Sequence, residues 1–254
     1  MGAAWTIVGV DCATQEERMG LARALLPEDG GLRLERVTLG TAGESAAASV
    51  SQWIEGKERY VIALSAPLGW PRALGRALSR HVAGEPLTPR AEQLFRRDTD
   101  RLVHKHLGKQ PPDVGADRVA RTARAALELL AAVRSHASRP IPLAWQQAEE
   151  SGAIEVYPAA TLLAHGVTAG AYQAHTAQAR KARAALLTRL QKQLDTASMR
   201  EVMIDDANLF DAAVCALAGA DFARGHCVAP PDPELARKEG FIWFRDSGQR
   251  ALFS

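Results

Sequence analysis

The sequence has few of the residues that mark several common protein classes. It contains three cysteines in 254 residues, Cys12, Cys215 and Cys227, and no CxxC pair, so it predicts neither a disulfide framework nor a zinc site. No apolar run approaches the roughly 20 residues that cross a bilayer, and no basic segment precedes the N-terminal apolar stretch as in a signal peptide. We therefore expect a cytoplasmic protein without membrane segments.

Several motifs of common enzyme classes are absent as well. The chain has no P-loop, GxGxxG, HExxH or GxSxG motif. An actin-like nucleotide-binding kinase would need a glycine two residues after Asp11, where the chain has Ala13, so we keep that class only as a lesser alternative. Aromatic residues make up 6% of the chain and few of them interleave with basic ones, which argues against a base-stacking platform for single strands.

Charge is distributed unevenly along the chain. The segment from Arg72 to Arg139 has 14 basic and 7 acidic residues, a net charge of +7. Because the whole chain has a net charge of +2, the remainder has a net charge of −5. A basic block beside an acidic remainder is typical of a protein that binds a polyanion near carboxylates. A solvated helical surface is the alternative interpretation of the same pattern.

Hydrophobic periodicity predicts an α/β protein with a mixed sheet. Apolar and alternating runs indicate strands at 5–11, 19–26, 32–39, 60–64 and 154–157, with an edge strand at 241–244, and helices at 45–54, 116–137, 176–194 and about 206–223. The helix at 176–194 carries Arg180, Lys181 and Arg183 on its predicted outer face. We expect a single domain, 1–254, with helical elaborations at about 70–150 and 159–200.

Three acidic residues stand where a carboxylate is costly unless it binds a cation. Asp11 ends an apolar strand, Glu155 interrupts an apolar strand, and Asp211 lies near the start of a largely apolar helix. Each also has a structural interpretation: Asp11 as a loop cap, Glu155 as an outward-facing strand residue, and Asp211 as a partner of the helix dipole. If the fold brings these three acids together, they form the kind of cluster that holds Mg²⁺ or Mn²⁺, for which carboxylate oxygens are the preferred ligands.

Two neighbours of Asp211 are further candidate ligands. Asp206, five residues earlier, projects about 140° away on a helix, whereas Asn208, three residues earlier, shares the face of Asp211. We therefore treat Asp206 and Asn208 as secondary candidates for the metal site.

Six short segments, in order, resemble the DUF429 proteins, which are described as predicted nucleases of the ribonuclease H-like superfamily. They run through essentially the whole chain: Val8-Gly9-Val10-Asp11, Ala63 to Gly69, Phe95 to Arg101, Ile154 to Ala159, Asp206 to Leu217, and Glu239 to Trp243. The resemblance implies a five-stranded mixed sheet, with its first three strands antiparallel, flanked by helices. It also implies hydrolysis of phosphodiester bonds with Mg²⁺ or Mn²⁺.

The resemblance assigns site roles to particular residues. Asp11 would bridge the metals, Glu155 and Asp211 would complete the coordination, and Ser65 would line the site. The family usually has an aspartate where this chain has Ser65, so the site loses one negative charge. That leaves a one-metal nuclease, a site completed by Glu155 or Asp206, or a catalytically inactive nucleic-acid-binding or adaptor protein.

The segment 96–101 carries the candidate substrate-binding residues. Arg97 and Arg101 have the planar guanidinium that binds phosphates bidentately, and nucleic acid, DNA or RNA, is the expected partner. Arg–Asp pairs that fix the loop are the alternative interpretation. Similarity of the run Asp211-Ala212-Ala213 to Holliday-junction resolvases makes a homodimer a hypothesis for the oligomeric state.

Overall fold

The structure is a computed structural model that describes residues 4–40, 44–115, 117–168 and 170–248. Its strands are β1 Trp5–Asp11, β2 Gly20–Leu26, β3 Leu32–Leu39, β4 Tyr60–Leu64, β5 Gly152–Glu155 and β6 Leu194–Asp195. Its α-helices are α1 Ala46–Ile54, α2 Arg72–Leu78, α3 Ala91–Phe95, α4 Asp98–Leu107, α5 Asp117–His136, α6 Pro158–Ala164, α7 Ala177–Leu190, α8 Arg200–Asp205, α9 Ala207–Ala223 and α10 Pro233–Glu239. The predicted α/β class is confirmed, and no helix among these residues is long and apolar enough to span a membrane.

The six strands form one mixed sheet in the order β5-β4-β1-β2-β3-β6. The first three strands pair antiparallel, as expected, and β4 and β5 extend the sheet from β1 in parallel. The predicted count of five strands is wrong, because β6 adds a two-residue strand beside the start of β3. The helix predicted to reach Leu194 ends at Leu190, and Leu194 is buried instead as a residue of β6.

Alternating residues of the central strands belong to two separate hydrophobic cores, one on each face of the sheet. Ile7 of β1 and Ala63 of β4 pack on one face with α9, whereas Val8 and Ile62 pack on the other face with α1 and α5. Side chains of a strand alternate between its faces. β4 is apolar throughout and β1 is apolar except at Thr6 and Asp11, so both faces of these two strands are buried at the centre of the sheet.

Helix α9 lies unusually close to β1 and β2 because glycines face it. A Cβ added at Gly9 would stand 2.0 Å from the carbonyl oxygen of Ala212, and one at Gly20 would stand 2.1 Å from that of Asn208. Only a residue without a side chain permits such an approach. The contact places the first turns of α9 against the end of β1 that carries Asp11, which pairs with Gly20.

Three predicted features differ in detail from the structure. β5 occupies Gly152–Glu155, and Pro158 starts α6, where its missing N–H leaves no hydrogen bond unmade. The segment 241–244 forms only an isolated bridge to Glu155, through Ile242. Arg183 of α7 is buried rather than on the outer face.

Candidate active site

Asp11 and Ser65 meet where β1 and β4 end side by side. The Ser65 N–H donates to the carbonyl of Val10, which keeps the residue after β4 aligned with β1. Its hydroxyl donates to Oδ1 of Asp11 at 2.9 Å and accepts from the backbone N–H of Cys12 at 2.9 Å. Ser65 therefore fixes the Asp11 carboxylate and the chain that follows it.

Asp211 is the fifth residue of α9, at the start of its second turn, and is 4% exposed. Its Oδ1 accepts from the Tyr172 hydroxyl at 2.8 Å, and its Oδ2 accepts from the Gln173 side-chain amide at 2.9 Å. Both donors are uncharged, so the carboxylate is hydrogen-bonded without an ion pair to either of them.

Arg183 holds the segment that supplies these two donors. Its guanidinium donates to the carbonyl oxygens of Tyr172, Ala174 and Ile204. Tyr172, Gln173 and Arg183 were not among the residues predicted from the sequence to lie around Asp211. A signal for Arg183 was present, because it stands four residues after Ala179 and three before Leu186, on the apolar stripe of the helix.

Burial shifts both carboxyl groups towards their protonated forms, and the charge of Asp211 adds to the shift of Asp11. Burial raises the pKa of Asp211 from 3.8 to about 6, although the hydrogen bonds from Gln173 and Tyr172 oppose the shift. Burial also raises the pKa of Asp11 well above 3.8, with the charge of Asp211 as the next cause and the Ser65 hydrogen bond acting against it. The two groups are therefore close enough to titrate as a pair.

The secondary candidates lie beside this pair. Asp206 is the N-cap of α9, and its Oδ1 accepts from the backbone N–H groups of Asn208 and Leu209 at 2.7 and 3.3 Å. Its negative charge contributes to the raised pKa of Asp11. Asn208 is half-buried, and its carbonyl lies against Gly20 of β2. Asp206 thus acts on the site through its charge while its side chain caps the helix.

Glu155 is committed to Arg97. Nη1 of Arg97 donates to Oε2 of Glu155 at 2.9 Å, and Nη2 donates to Oε1 at 2.7 Å. The N–H of Leu68 donates to the same Oε2 at 2.9 Å. Burial raises the pKa of Glu155, and the charge of Arg97 opposes the rise. Both oxygens of this carboxylate are thus occupied.

Arg97 also binds Asp100, so one buried cation serves two buried carboxylates. Nη2 of Arg97 lies 2.9 Å from Oδ1 of Asp100, and both residues are 1% exposed. The Arg–Asp pairing that was one of the two sequence interpretations is present for Arg97. Arg101, in contrast, is exposed, lies 3.3 Å from Oδ1 of Asp98 and donates to the carbonyl of Arg96.

Glu239 completes a group that we call the Arg97 cluster: Arg97, Asp100, Glu155 and Glu239. The carboxylate of Glu239 accepts from the first backbone N–H of α2 at 2.7 Å and from that of α4 at 3.0 Å. Its own carbonyl accepts from Arg97 at 3.3 Å. Gly240 follows at φ +84°, where a Cβ would stand 2.8 Å from Oε2 of Glu155. Four of the six segments quoted above therefore meet at this cluster.

A cleft of about 360 Å³ opens between the ends of β4 and β5. Its lining includes Ser65, Glu155, Tyr157 and the exposed Arg118. Clefts of this size hold small ligands or part of a larger one. The cleft therefore extends from Ser65, which contacts Asp11, to Arg118, one of the basic residues between 72 and 139.

The acids do not all fit one metal centre in this arrangement. Among residues 4–40, 44–115, 117–168 and 170–248, no three His, Cys, Asp or Glu side chains are grouped to hold a metal ion. Asp11 and Asp211 have the donor chemistry that a hard divalent ion requires, whereas Glu155 is neutralised by Arg97. The structure brings together Asp11, Ser65 and Asp211, and it places Glu155 with Arg97.

The fold and the acidic pair define an α/β protein with a candidate site at the carboxyl end of its central strand. The chain belongs to the DUF429 family, a family of proteins of unknown function, whose model matches residues 9–235. Neither the curated proteins nor the solved structures contained a match to the chain.

Proposed function

We propose that the protein is a ribonuclease H-like, divalent-metal-dependent nuclease that hydrolyses phosphodiester bonds with one metal ion. The observation that carries the proposal is the pairing of Asp11 with Asp211 against neutral donors. In the described part of the chain, the hydrogen-bond donors to these carboxylates are Ser65, Tyr172 and Gln173. The half-buried Asp11 and the buried Asp211 repel each other, and a cation between them stabilises both carboxylates.

The sheet supports the ribonuclease H-like part of the proposal. Its first three strands are antiparallel neighbours, and the parallel strands β4 and β5 follow on the other side of β1. This is the mixed sheet that the family resemblance implies, with β6 as an added edge strand. Asp11 lies at the end of the central strand, where the resemblance assigns the first metal-binding acid.

The chain's own residues divide the work at this site. Asp11 and Asp211 would hold Mg²⁺ or Mn²⁺, Ser65 orients Asp11, and Tyr172 and Gln173 orient Asp211. Such an ion polarises a phosphoryl oxygen and lowers the pKa of a bound water. Arg118 and Arg101 are exposed cations that can contact substrate phosphates.

One ion fits these residues better than two. Ser65 supplies a neutral hydroxyl where the family usually has an aspartate, and both oxygens of Glu155 accept from Arg97. A two-ion centre needs carboxylates that bridge the ions, and Glu155 is not free to contribute. Glu155 is therefore a structural residue in this proposal.

The same two features favour a second candidate function, a catalytically inactive nucleic-acid-binding or adaptor protein. A site with one carboxylate replaced by Ser65 and another neutralised by Arg97 has lost much of the charge that divalent ions require. This candidate predicts binding of nucleic acid that does not depend on metal and is not followed by cleavage.

Calorimetric titration of Mn²⁺ and Mg²⁺ separates the two candidates, followed by cleavage assays on single- and double-stranded DNA and RNA. The nuclease proposal predicts binding that is lost in Asp11→Asn and Asp211→Asn and kept in Asp29→Asn, an exposed residue of the β2–β3 turn. Metal-dependent cleavage that follows the same pattern supports it. Nucleic-acid binding with no cleavage in any metal overturns it in favour of the second candidate.

A further inference from the structure

A second hollow, which we call the α2 groove, lies along the basic helix α2. It has a volume of about 760 Å³ and is lined by the end of the loop that follows β4, by α2, and by Lys238 of α10. Trp70, Arg72, Arg76 and Lys238 are among its lining residues, and no acidic residue is. The groove therefore presents positive charge beside an aromatic ring.

The cations of the groove are available to a ligand. Arg72, Arg76 and Lys238 are exposed, and none of them has an ion-pair partner within residues 4–40, 44–115, 117–168 and 170–248. Arg72 and Arg76 stand four residues apart on α2 and so share one face of the helix. An unpaired row of guanidinium groups is suited to phosphate.

The groove and the candidate active site are joined by one short stretch of chain. Ser65, Ala66 and Pro67 line the cleft beside Asp11, and Leu68 to Arg72 line the α2 groove. The stretch is fixed at both ends, since Ser65 donates to Asp11 and the N–H of Arg72 donates to Glu239. A chain lying in the groove would thus be led towards Asp11.

The surface next to the groove is also apolar in places. Leu78 at the end of α2 is 53% exposed and Val82 is 60% exposed. Leu78 and Val82 lie outside the lining of the groove, so the apolar contact beside its cations is that of Trp70. A nucleic acid strand presents both phosphates and apolar base faces, so it matches this combination.

We propose that the α2 groove binds a single strand of nucleic acid, with phosphates at Arg72, Arg76 and Lys238 and an unpaired base against Trp70. The choice of nucleic acid rests on the proposed function. Stacking requires a base that is not inside a duplex, and base–aromatic contacts tolerate any sequence. Trp70 thus supplies at one point the stacking that the low aromatic content argued against for the chain as a whole.

The test measures binding of a fluorescein-labelled oligothymidine by anisotropy in EDTA, so that no cleavage interferes. Three phosphate contacts predict a slope of about −2 for log K against log salt with a single strand. Arg76→Gln should weaken binding and make that slope shallower by about 0.7. Arg189→Gln, the same change at an exposed position of α7, should alter neither.

Trp70→Leu keeps an apolar side chain in the wall of the groove but removes the ring. It should weaken binding about 5- to 150-fold, the range that corresponds to the loss of one stacked base, and it should abolish the quenching of tryptophan fluorescence by the oligonucleotide. Because Arg76 is exposed, Arg76→Gln tests the groove even where Trp70→Leu disturbs the fold.

Three results would overturn the proposal. The first is equal affinity of Arg76→Gln and Arg189→Gln for the oligonucleotide. The second is duplex binding that is as tight as single-strand binding and does not change in Trp70→Leu, and the third is displacement of the oligonucleotide by polyglutamate at equal charge. The last result would assign the groove to an acidic protein segment.

The outcome of this test is separable from that of the nuclease proposal. Cleavage with a KM unchanged in Arg76→Gln refutes the groove alone, whereas groove binding without cleavage refutes the nuclease alone.

Discussion

The two terminal nitrogens of Arg97 meet the two carboxylate oxygens of Glu155, at 2.9 and 2.7 Å, in a buried bidentate pair. The side chains are 1% and 2% exposed. A pair of this geometry is strongly oriented, and here it ties the end of β5 to the start of α4. The side chain that resembled a substrate clamp in the sequence is a tie between elements that form the cleft.

Breaking this pair should destabilise the protein. Glu155→Gln keeps the shape of the side chain but leaves Arg97 with only Asp100 as an anionic partner. Arg97 keeps Asp100 as its counter-ion, but the glutamine amide places a donor where one of the two acceptor oxygens met a buried N–H group. A buried donor left without an acceptor costs about 1–3 kcal/mol, and we expect the free energy of unfolding to fall by that amount. Urea denaturation followed by circular dichroism measures the change, and Glu201→Gln on the exposed face of α8 is the control. Equal midpoints for the two variants would contradict a structural role for Glu155.

Local pattern was enough to predict much of the sheet. β1, β2, β3 and β4 follow apolar or alternating runs, and the turn at 28–31 joins two of them, so each strand is specified by residues next to one another in sequence. The predicted start of α9 at about 206 is correct for the same reason, because Asp206 is the N-cap of the helix. Its side chain reaches only two and three residues ahead.

Long-range partners are what the sequence did not reveal. Nothing near Arg97 in the chain indicates that its partner is 58 residues away in Glu155, or that Glu239 caps two helices that begin more than 140 residues earlier. The edge strand β6 escaped prediction because its two residues carry no periodicity of their own. The grouping of Asp11 with Asp211 was a hypothesis from the positions of the acids, and the resemblance made it specific.

Asp211 should make stability depend on pH between about 4 and 6. Its pKa is about 6 in the folded protein and about 3.9 in an unfolded chain, so in this window the folded state holds a proton that the unfolded state has lost. The contribution of Asp211 to the free energy of unfolding therefore falls as pH rises. Asp211→Asn cannot lose that proton, and it should gain about 3 kcal/mol relative to wild type between pH 4 and pH 7.

Denaturation curves in EDTA across this range measure the gain. Removal of the Asp211 charge also relieves Asp11, whose pKa it raises, so both effects have the same sign. Asp29→Asn, in an exposed turn, should track wild type at every pH. A difference between Asp211→Asn and wild type that stays constant with pH would show that Asp211 is not perturbed by its surroundings.

A carboxylate at position 65 should strengthen metal binding. Ser65→Asp adds a negative charge next to Asp11, and the Coulomb attraction of one more charge for a divalent ion predicts at least about tenfold tighter Mn²⁺ binding by calorimetry. Without metal the same variant should be less stable than wild type, because the added charge repels Asp11 and Asp211. Ser65→Ala is the matched variant without charge, and it removes the hydrogen bonds to Asp11 and Cys12.

The comparison of these two variants isolates the role of charge. Mn²⁺ should restore the stability of Ser65→Asp but not that of Ser65→Ala. Unchanged Mn²⁺ affinity in a folded Ser65→Asp protein would place the metal away from Asp11, and it would count against the proposed site.

The contact between α9 and β1 should be intolerant of a single methyl group. In Gly9→Ala the new Cβ would stand 2.0 Å from the carbonyl oxygen of Ala212 and 2.5 Å from the amide nitrogen of Ala216, so the helix must move away from the strand. We expect the free energy of unfolding to fall by about 3 kcal/mol. Mn²⁺ binding should weaken as well, because the movement separates Asp211 from Asp11.

Gly75→Ala makes the same chemical change where it should have the opposite effect. Gly75 lies inside α2, and no atom stands within 4 Å of the position that its Cβ would take. Alanine costs less backbone entropy in a helix, so this variant should be more stable by about 0.5–1 kcal/mol. Thermal and urea unfolding of the two variants give the comparison. If Gly9→Ala proved as stable as Gly75→Ala, the close packing of α9 on β1 would be refuted, and with it the geometry that brings Asp211 to Asp11.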